Sequence, residues 1–415
     1  MLGVCSHAPS QRESSNKQGA PLADLSSTTL NLDGYVLTFS EEFTGNYLDT
    51  SRWGMKYWWG GRSLSTNGEK QYFADRSTPV VKKYPNLDPF KIVADPSEPG
   101  DGILTITANP SPDTGLTDGL PYVSGMINTY GTFSQTYGYF EIRAQVPSGQ
   151  GLWPAFWLLP QSGNWPPEID VLELLGKDPT TYYVGAHWSG TNGAHEFETT
   201  GIQTGIDLSQ DFHTYGALWT PETITFYLDG QKVGSMATPQ GMDEPMYLLA
   251  GLAVGGSWGG DPDRTTSFPA EFKIDYIKAW ALDPLAGYMP TLKGTSGKDT
   301  LIGTAGADVI FGFEGNDILE GAGGNDILAG GAGADIFRYR TGGSGHDIIL
   351  DFEPTSGDVI QLSKAAAGVK NFATLYRNIL DNADGDAVLK LADGGTITFA
   401  GVSKAQLTYD DFVFI

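Results

Sequence analysis

From Gly294 to Arg338 the chain repeats every nine residues: GTSGKDTLI, GTAGADVIF, GFEGNDILE, GAGGNDILA and GGAGADIFR. Each unit has glycine at positions one and four, aspartate at position six and an apolar residue at position eight. Few folds can absorb such a period. A flexible Gly-rich linker has no reason to hold an apolar residue in register. A parallel β-roll does: glycines make the tight turns, the apolar position stacks inward, and aspartates with backbone carbonyls offer hard oxygen ligands to Ca²⁺. Without the ion the stacked aspartates repel one another, so this segment is expected to fold with calcium.

The repeats resemble the RTX units of proteins exported by bacterial type I systems. That resemblance implies two units per turn and an ion between loops two repeats apart, pairing Asp299 with Asp317, Asp308 with Asp326 and Asp317 with Asp335. Downstream, GHDIILDFEPTSGDVIQL adds Asp347, Asp351 and Asp358 to the calcium candidates. The chain ends TYDDFVFI, which looks like the uncleaved C-terminal export signal of the same family. The type I secretion machinery is then a partner and the extracellular medium the destination. A final strand capping the roll is the plain alternative, and one segment can serve both ends.

A second feature is WPPEIDVLELLG, Trp165 to Gly176, which reads as a buried strand yet carries Glu168, Asp170 and Glu173. Buried unpaired charges are costly, so three on one apolar strand need a reason. On a regular strand Glu168 and Asp170 share a face and Glu173 points the other way. A β-bulge at Val171-Leu172 would return Glu173 to that face, and bulges often re-aim side chains beside active sites. Two glutamates flanking an aspartate suit a retaining glycosidase, in which one carboxyl attacks the sugar and another protonates the leaving oxygen. An exposed edge strand is the alternative, disfavoured by Ile169, Val171, Leu172, Leu174 and Leu175.

Composition supports a β-rich chain with two modules. There are 415 residues, 55 of them glycine and 10 tryptophan, and helix-period patterns are scarce. A net charge of -24 argues against nucleic acid and anionic membranes as partners. With Cys5 as the single cysteine no intramolecular disulfide is possible. Residues 1–30 show no apolar signal core and no membrane-spanning run, and their polar composition reads as a disordered leader.

Between residues 31 and 283, short runs such as YVLTFSEEF, GILTITANP, GYFEIRAQVP and FKIDYIKAW are broken by turn signals. Asp229-Gly230 is a two-residue hairpin signal. Many antiparallel strands point to a two-sheet sandwich or jelly roll. EIDVLE now resembles the E-x-D-x-x-E signature of glycoside hydrolase family 16 in its bulged, laminarinase-like form. YGYFEIRAQVPSGQGLWPAFWLLP, HTYGALWTPETITFYLDG, LAVGGSWGG and FKIDYIKAW are similar to that family's recurrent blocks. The resemblance covers about residues 35 to 280. It implies an all-β, concanavalin A-like jelly roll that cleaves inside a β-glucan-like chain with retention.

On that resemblance Glu168 is the nucleophile, Glu173 the acid/base, and Asp170 orients the nucleophile and raises the acid's pKa. His187 either touches the site or is structural. Trp153, Trp157 and Trp258 are the candidates for a sugar platform, and any of them is alternatively core. NGEKQYF is similar to the family's N-x-E block, offering Asn67, Glu69 and Gln71 as binding residues. Arg62 in WWGGRS is a candidate for reading an anionic sugar, with an ordinary ion pair as the alternative. Family members often have D-E-F where Glu41-Glu42-Phe43 stands and asparagine where Gly251 stands. The first bears on a structural calcium site, for which Glu42, Gly45 and Asp275 are candidates; the second bears on substrate choice.

The expected layout is a leader at 1–30, a catalytic domain at 31–283, a linker at 284–292, a calcium roll at 293–338 and a cap with export signal at 339–415. The combination resembles rhizobial exopolysaccharide-cleaving glycanases. A secreted, monomeric endo-β-glycanase acting on β-1,3 or mixed β-1,3-1,4 glucan or a related exopolysaccharide is the expectation. A transglycosylase or a calcium-dependent polysaccharide-binding matrix protein are the alternatives.

Overall fold

The computed structural model describes residues 29–415 apart from 33, 97, 99, 284–287, 289, 341–344 and 370. Cys5, nearly all of the expected leader and most of the expected linker lie outside the described residues. The chain divides into two compact units, Met1–Leu282 and Asp283–Ile415. Among the described residues no helix is long and apolar enough to cross a membrane.

The first unit is a β-sandwich. Its site-bearing sheet has six strands: β1 (Met126–Asn128), β2 (Leu152–Pro160), β3 (Glu168–Leu174), β4 (Thr181–Ser189), β5 (His195–Gln203) and β6 (Met246–Val254). Their order is β5-β4-β3-β2-β6-β1. A ten-stranded sheet backs it, centred on Gly138–Gln145 and Ala270–Leu282. Alternate residues from the two sheets meet in one core, in which Phe140 and Ile142 join Phe156, Leu158, Ile169 and Leu172. This is sheet-on-sheet packing with the period-2 pattern buried between layers. The Asp229-Gly230 turn takes positive φ at both residues, 48° and 71°, and joins Thr223–Leu228 to Gln231–Ala237 as its sequence required.

The second unit is a roll of short parallel strands. Thr300 pairs with Ile318 and Val309 with Ile327, an offset of two repeats in each case. Successive units therefore alternate between a seven-stranded and a five-stranded sheet. The position-eight residues Leu301, Ile310, Leu319, Leu328 and Phe337 form its core. The terminal strand Phe412–Phe414 pairs in parallel with Val359–Leu362, so the tail is part of the folded roll.

Candidate active site

Every residue of β3 is buried, acids included. Glu173 lies opposite Ala155 and Asp170 opposite Trp157 on β2, so three β3 steps face two on β2. The same excess appears against β4, where Glu173 meets Tyr183 and Asp170 meets Gly185. Val171 is thus the inserted residue, and the bulge turns Glu173 to the face of Glu168 and Asp170 while Ile169, Leu172 and Leu174 stay in the core. All three acids line one cleft.

The indole N–H of Trp165 donates to Glu168 Oε2 at 2.6 Å, and that of Trp153 donates to Glu173 Oε1 at 3.1 Å. Glu173 Oε2 is buried without a hydrogen-bond partner. His187, on β4 directly opposite Glu168, brings Nε2 to 3.2 Å from Asp170 Oδ2. That oxygen has no well-aligned hydrogen bond, so the contact is electrostatic. Burial and then the charge of Asp170 push both Glu168 and Glu173 well above the ordinary carboxylate range. The tryptophan hydrogen bonds oppose this, since they favour the ionised form. The shorter of the two is at Glu168, which makes Glu168 the better seat for a negative charge and Glu173 the better seat for a proton.

The N-x-E block enters the same cleft. Glu69 accepts from Asn67 Nδ2 at 3.1 Å and from Gln71 Nε2 at 2.5 Å, and burial pushes its carboxyl up to about 7. Asn67 Oδ1 is buried and unpartnered, an uncompensated polar atom on a residue of the cleft lining. Gln71 turns its carbonyl to the Val254 backbone N–H at 2.8 Å, tying the block to β6. Gly251 lines the cleft across from Ala155. The asparagine that the family resemblance led us to expect there would press on Met126, whose Cβ lies 3.0 Å from where a side chain would begin.

Trp153 and Trp157 both line the cleft but are buried to 4% and 7% exposure; Trp157 packs into a small core cluster, the alternative that the sequence left open. Trp258, half-buried, stands edge-on to Trp153 at 5.3 Å. Arg62 points elsewhere, donating to the Phe73 carbonyl and pairing with Asp75, both at 2.7 Å. That is the ordinary ion pair expected of Arg62, and it occupies the charge that an anionic sugar would need. Two residues were missed. Trp165 heads the quoted WPPEID segment and its three-residue spacing to Glu168 was the available signal. His195, whose Nε2 lies 2.8 Å from His187 Nδ1, comes from β5 and had no local signal.

In the roll, the nonapeptide aspartates face one another across two repeats. The carboxylates of Asp317, Asp326 and Asp335 each accept the backbone N–H of the aspartate eighteen residues upstream, at 2.7, 2.9 and 2.7 Å. Asp347 and Asp358 continue this ladder toward Asp326 and Asp335, and Asp351 accepts from Gly330 and Gly331. The second oxygens of Asp317, Asp326 and Asp335 are buried with no partner, and burial raises Asp326 and Asp335 to about 6. A Cβ on Gly312 would sit 2.5 Å from both Asp317 Oδ2 and the Gly330 carbonyl, so only glycine leaves this oxygen-lined space open. Among the described residues no three His, Cys, Asp or Glu side chains gather at one point. The donor set is thus paired aspartates completed by carbonyls, which fits Ca²⁺, an ion that takes many oxygens in flexible geometry. Asp299, Asp308, Asp317, Asp326 and Asp335 would hold it.

In the other candidate calcium set, beside Gly45, Glu42 pairs with Lys278 at 2.7 Å and the Asp275 carboxylate meets Arg143. Asp275 also feels the charges of Asp95 and Glu42, so these acids lie near one another with a cation partner on each of Glu42 and Asp275.

Against this geometry, residues 91–278 match the family Glycosyl hydrolases family 16. Residues 293–328 and 312–349 match the RTX calcium-binding nonapeptide repeat, and the calcium is structural. The chain is 42% identical over 266 residues to the endo-1,3-1,4-beta-glycanase ExsH of Rhizobium meliloti, covering 61% of this chain and 54% of that protein. It thus spans about half the length of that relative. A beta-glucanase of Rhodothermus marinus is 34% identical over 203 residues, covering 44% of this chain and 68% of that protein. The endo-beta-1,3-glucanase of Pyrococcus furiosus superposes with a TM-score of 0.50 at 28% identity, covering 61% of this chain and 98% of that one. The jelly-roll fold, the bulged acid triplet and these matches together make the chain a member of glycosyl hydrolase family 16 that also carries RTX repeats.

Proposed function

We propose that this chain is a retaining endo-β-glycanase that hydrolyses β-1,3 or mixed β-1,3-1,4 glucan, or a related exopolysaccharide, outside the cell. The observation that carries the reading is the one-residue bulge at Val171, which gathers three buried carboxylates on one cleft face. Glu168, stabilised as an anion by Trp165, attacks the anomeric carbon. Glu173, held neutral by burial and the charge of Asp170, gives its proton to the departing glycosidic oxygen. Water then enters, Glu173 takes a proton from it, and the ester to Glu168 is cleaved with overall retention. Asp170 lies between the two glutamates and keeps their pKa values high enough for the proton to be available near neutrality.

Exchange of Glu168→Gln tests this. Reducing-end release from laminarin and lichenan is expected to vanish while retardation in a polysaccharide-containing gel persists. Substantial residual hydrolysis would remove Glu168 from the nucleophile role. Product sizing separates hydrolysis from transfer to an acceptor sugar. Export rests on the RTX repeats and the acidic-apolar tail; deleting residues 291–415 should block it, and continued export of the shortened chain would refute that part.

A further inference from the structure

Position two of the nonapeptide divides the five units by chemistry: it reads Thr295, Thr304, Phe313, Ala322 and Gly331. In the first two units the threonine closes on its own aspartate. The N–H and hydroxyl of Thr295 donate to Asp299 Oδ2 at 2.6 and 2.8 Å, and those of Thr304 donate to Asp308 Oδ2 at the same two distances. The last three units carry no hydroxyl there, and the matching Oδ2 atoms of Asp317, Asp326 and Asp335 are buried without a partner. The carboxyls respond accordingly: the Thr304 donors hold Asp308 below its ordinary value, whereas burial pushes Asp317 up. At the far end Asp358 Oδ2 accepts the Glu353 N–H at 2.9 Å, and Asp411 Oδ2 accepts the N–H and hydroxyl of Thr408. Among the described roll aspartates, buried oxygens without a partner are thus confined to the middle turns.

The backbone divides in the same way. Phe313, Ala322 and Gly331 have φ of 74°, 72° and 91°, while Thr295 and Thr304 do not take positive φ. A left-handed conformation is unfavourable for a residue with a Cβ, so Phe313 and Ala322 hold strain that their turns must offset. Strain and unpartnered oxygens fall in the same turns, and a bound cation compensates both. The oxygen-lined space itself recurs in the first turn, where a Cβ on Gly294 would press on the Gly312 carbonyl and come within 3.0 Å of Asp299 Oδ2. The first turns therefore resemble the later ones in outline and differ in having the aspartate oxygen already taken.

We propose that Thr295 and Thr304 stand in for the ion at Asp299 and Asp308, which gives the roll two classes of calcium site: tight ones at Asp317, Asp326 and Asp335, and weak ones at the two threonine-bearing turns. To take an ion, Asp299 or Asp308 must give up charge-assisted hydrogen bonds that the later aspartates never made, which weakens binding there about tenfold to a hundredfold. The first turns are held by the chain itself, and calcium is left to order the middle. Titration calorimetry of Ca²⁺ into the chelator-treated full chain tests this, and since no turnover is read, the result is independent of the hydrolase reading. The wild type is expected to show two classes of site. Thr295→Gly/Thr304→Gly should shift the weak class into the tight one and raise the tight-class stoichiometry. Thr295→Ser/Thr304→Ser, which keeps both hydroxyls, should reproduce the wild-type isotherm. Asp299→Asn/Asp308→Asn should leave the tight-class stoichiometry unchanged, and Asp317→Asn should lower it. An isotherm that the glycine pair does not alter, or an equal loss of tight sites from the Asp299/Asp308 and Asp317 variants, overturns the assignment. If the glycine pair fails to fold, the aspartate variants carry the same decision.

Discussion

Trp165→Phe isolates one hydrogen bond of the site. The indole N–H lies 2.6 Å from Glu168 Oε2, and a hydrogen bond to a charged group is worth about 1.5–3 kcal/mol. At 1.36 kcal/mol per pKa unit, losing it raises the Glu168 carboxyl by about 1–2 units. The sign follows from the donor: an N–H favours the ionised form, so removing it means that higher pH is needed to generate the nucleophile. The acid limb of kcat/KM should therefore move up by about 1–2 pH units, with activity recovering partly as pH rises. The assay is reducing-end release from lichenan across the acidic and neutral range, with thermal unfolding as a control for packing against His195, whose ring centre lies 4.6 Å from that of Trp165. A uniform fall at all pH values with an unmoved acid limb would refute the reasoning and leave Trp165 a packing residue.

Deleting Val171 leaves Glu168, Asp170 and Glu173 at alternate positions of a regular strand, so the three acids should keep one face and reducing-end release should persist; deleting Val171 and Leu172 together should turn Glu173 to the core face, destabilising the first unit by more than about 3 kcal/mol in urea unfolding and abolishing turnover. Glu69, raised from 4.5 to about 7 in the folded protein, contributes stability below the lower value that is lost as pH rises through the upper one. That shift of about 2.5 units is worth about 3 kcal/mol, so the fall in melting temperature between mildly acidic and mildly alkaline buffer should be shallower in Glu69→Gln. Asp326→Ala removes a roll carboxylate whose second oxygen is unpartnered and should lower the calcium stoichiometry seen by titration calorimetry and slow the calcium-induced gain of β signal; unchanged stoichiometry would remove Asp326 from the ligand set.

Local chemistry made much of this legible in advance. Period nine in the glycines and aspartates specifies the roll because each position has one physical task, and the position of the bulge followed from asking how Glu173 could share a face with Glu168. Contacts made across the fold were not legible. Nothing in WWGGRS says that Asp75 will satisfy Arg62, and nothing around Asp275 says that Arg143 on a neighbouring strand will neutralise it. The tryptophans show the same limit: hydrophobicity and proximity to the acids pointed to Trp153 and Trp157, but exposure, which decides whether a ring can stack on sugar, is set by what packs above it.

Alternation between two sheets gives the roll a parity. Each nonapeptide hands the chain to the opposite sheet, and only every second unit returns it, as the pairing of Thr300 with Ile318 and of Val309 with Ile327 shows. Removing one unit would carry every later strand to the opposite sheet together, the antiparallel pair Ile379–Asp381 and Ala387–Lys390 along with Phe412–Phe414, so their mutual pairings would survive. What changes is the facing of this terminal part relative to the units before the deletion, and removing two units restores it. The roll can therefore lengthen or shorten by nine residues without unpairing its end, and the parity of the repeat number sets which side that end presents.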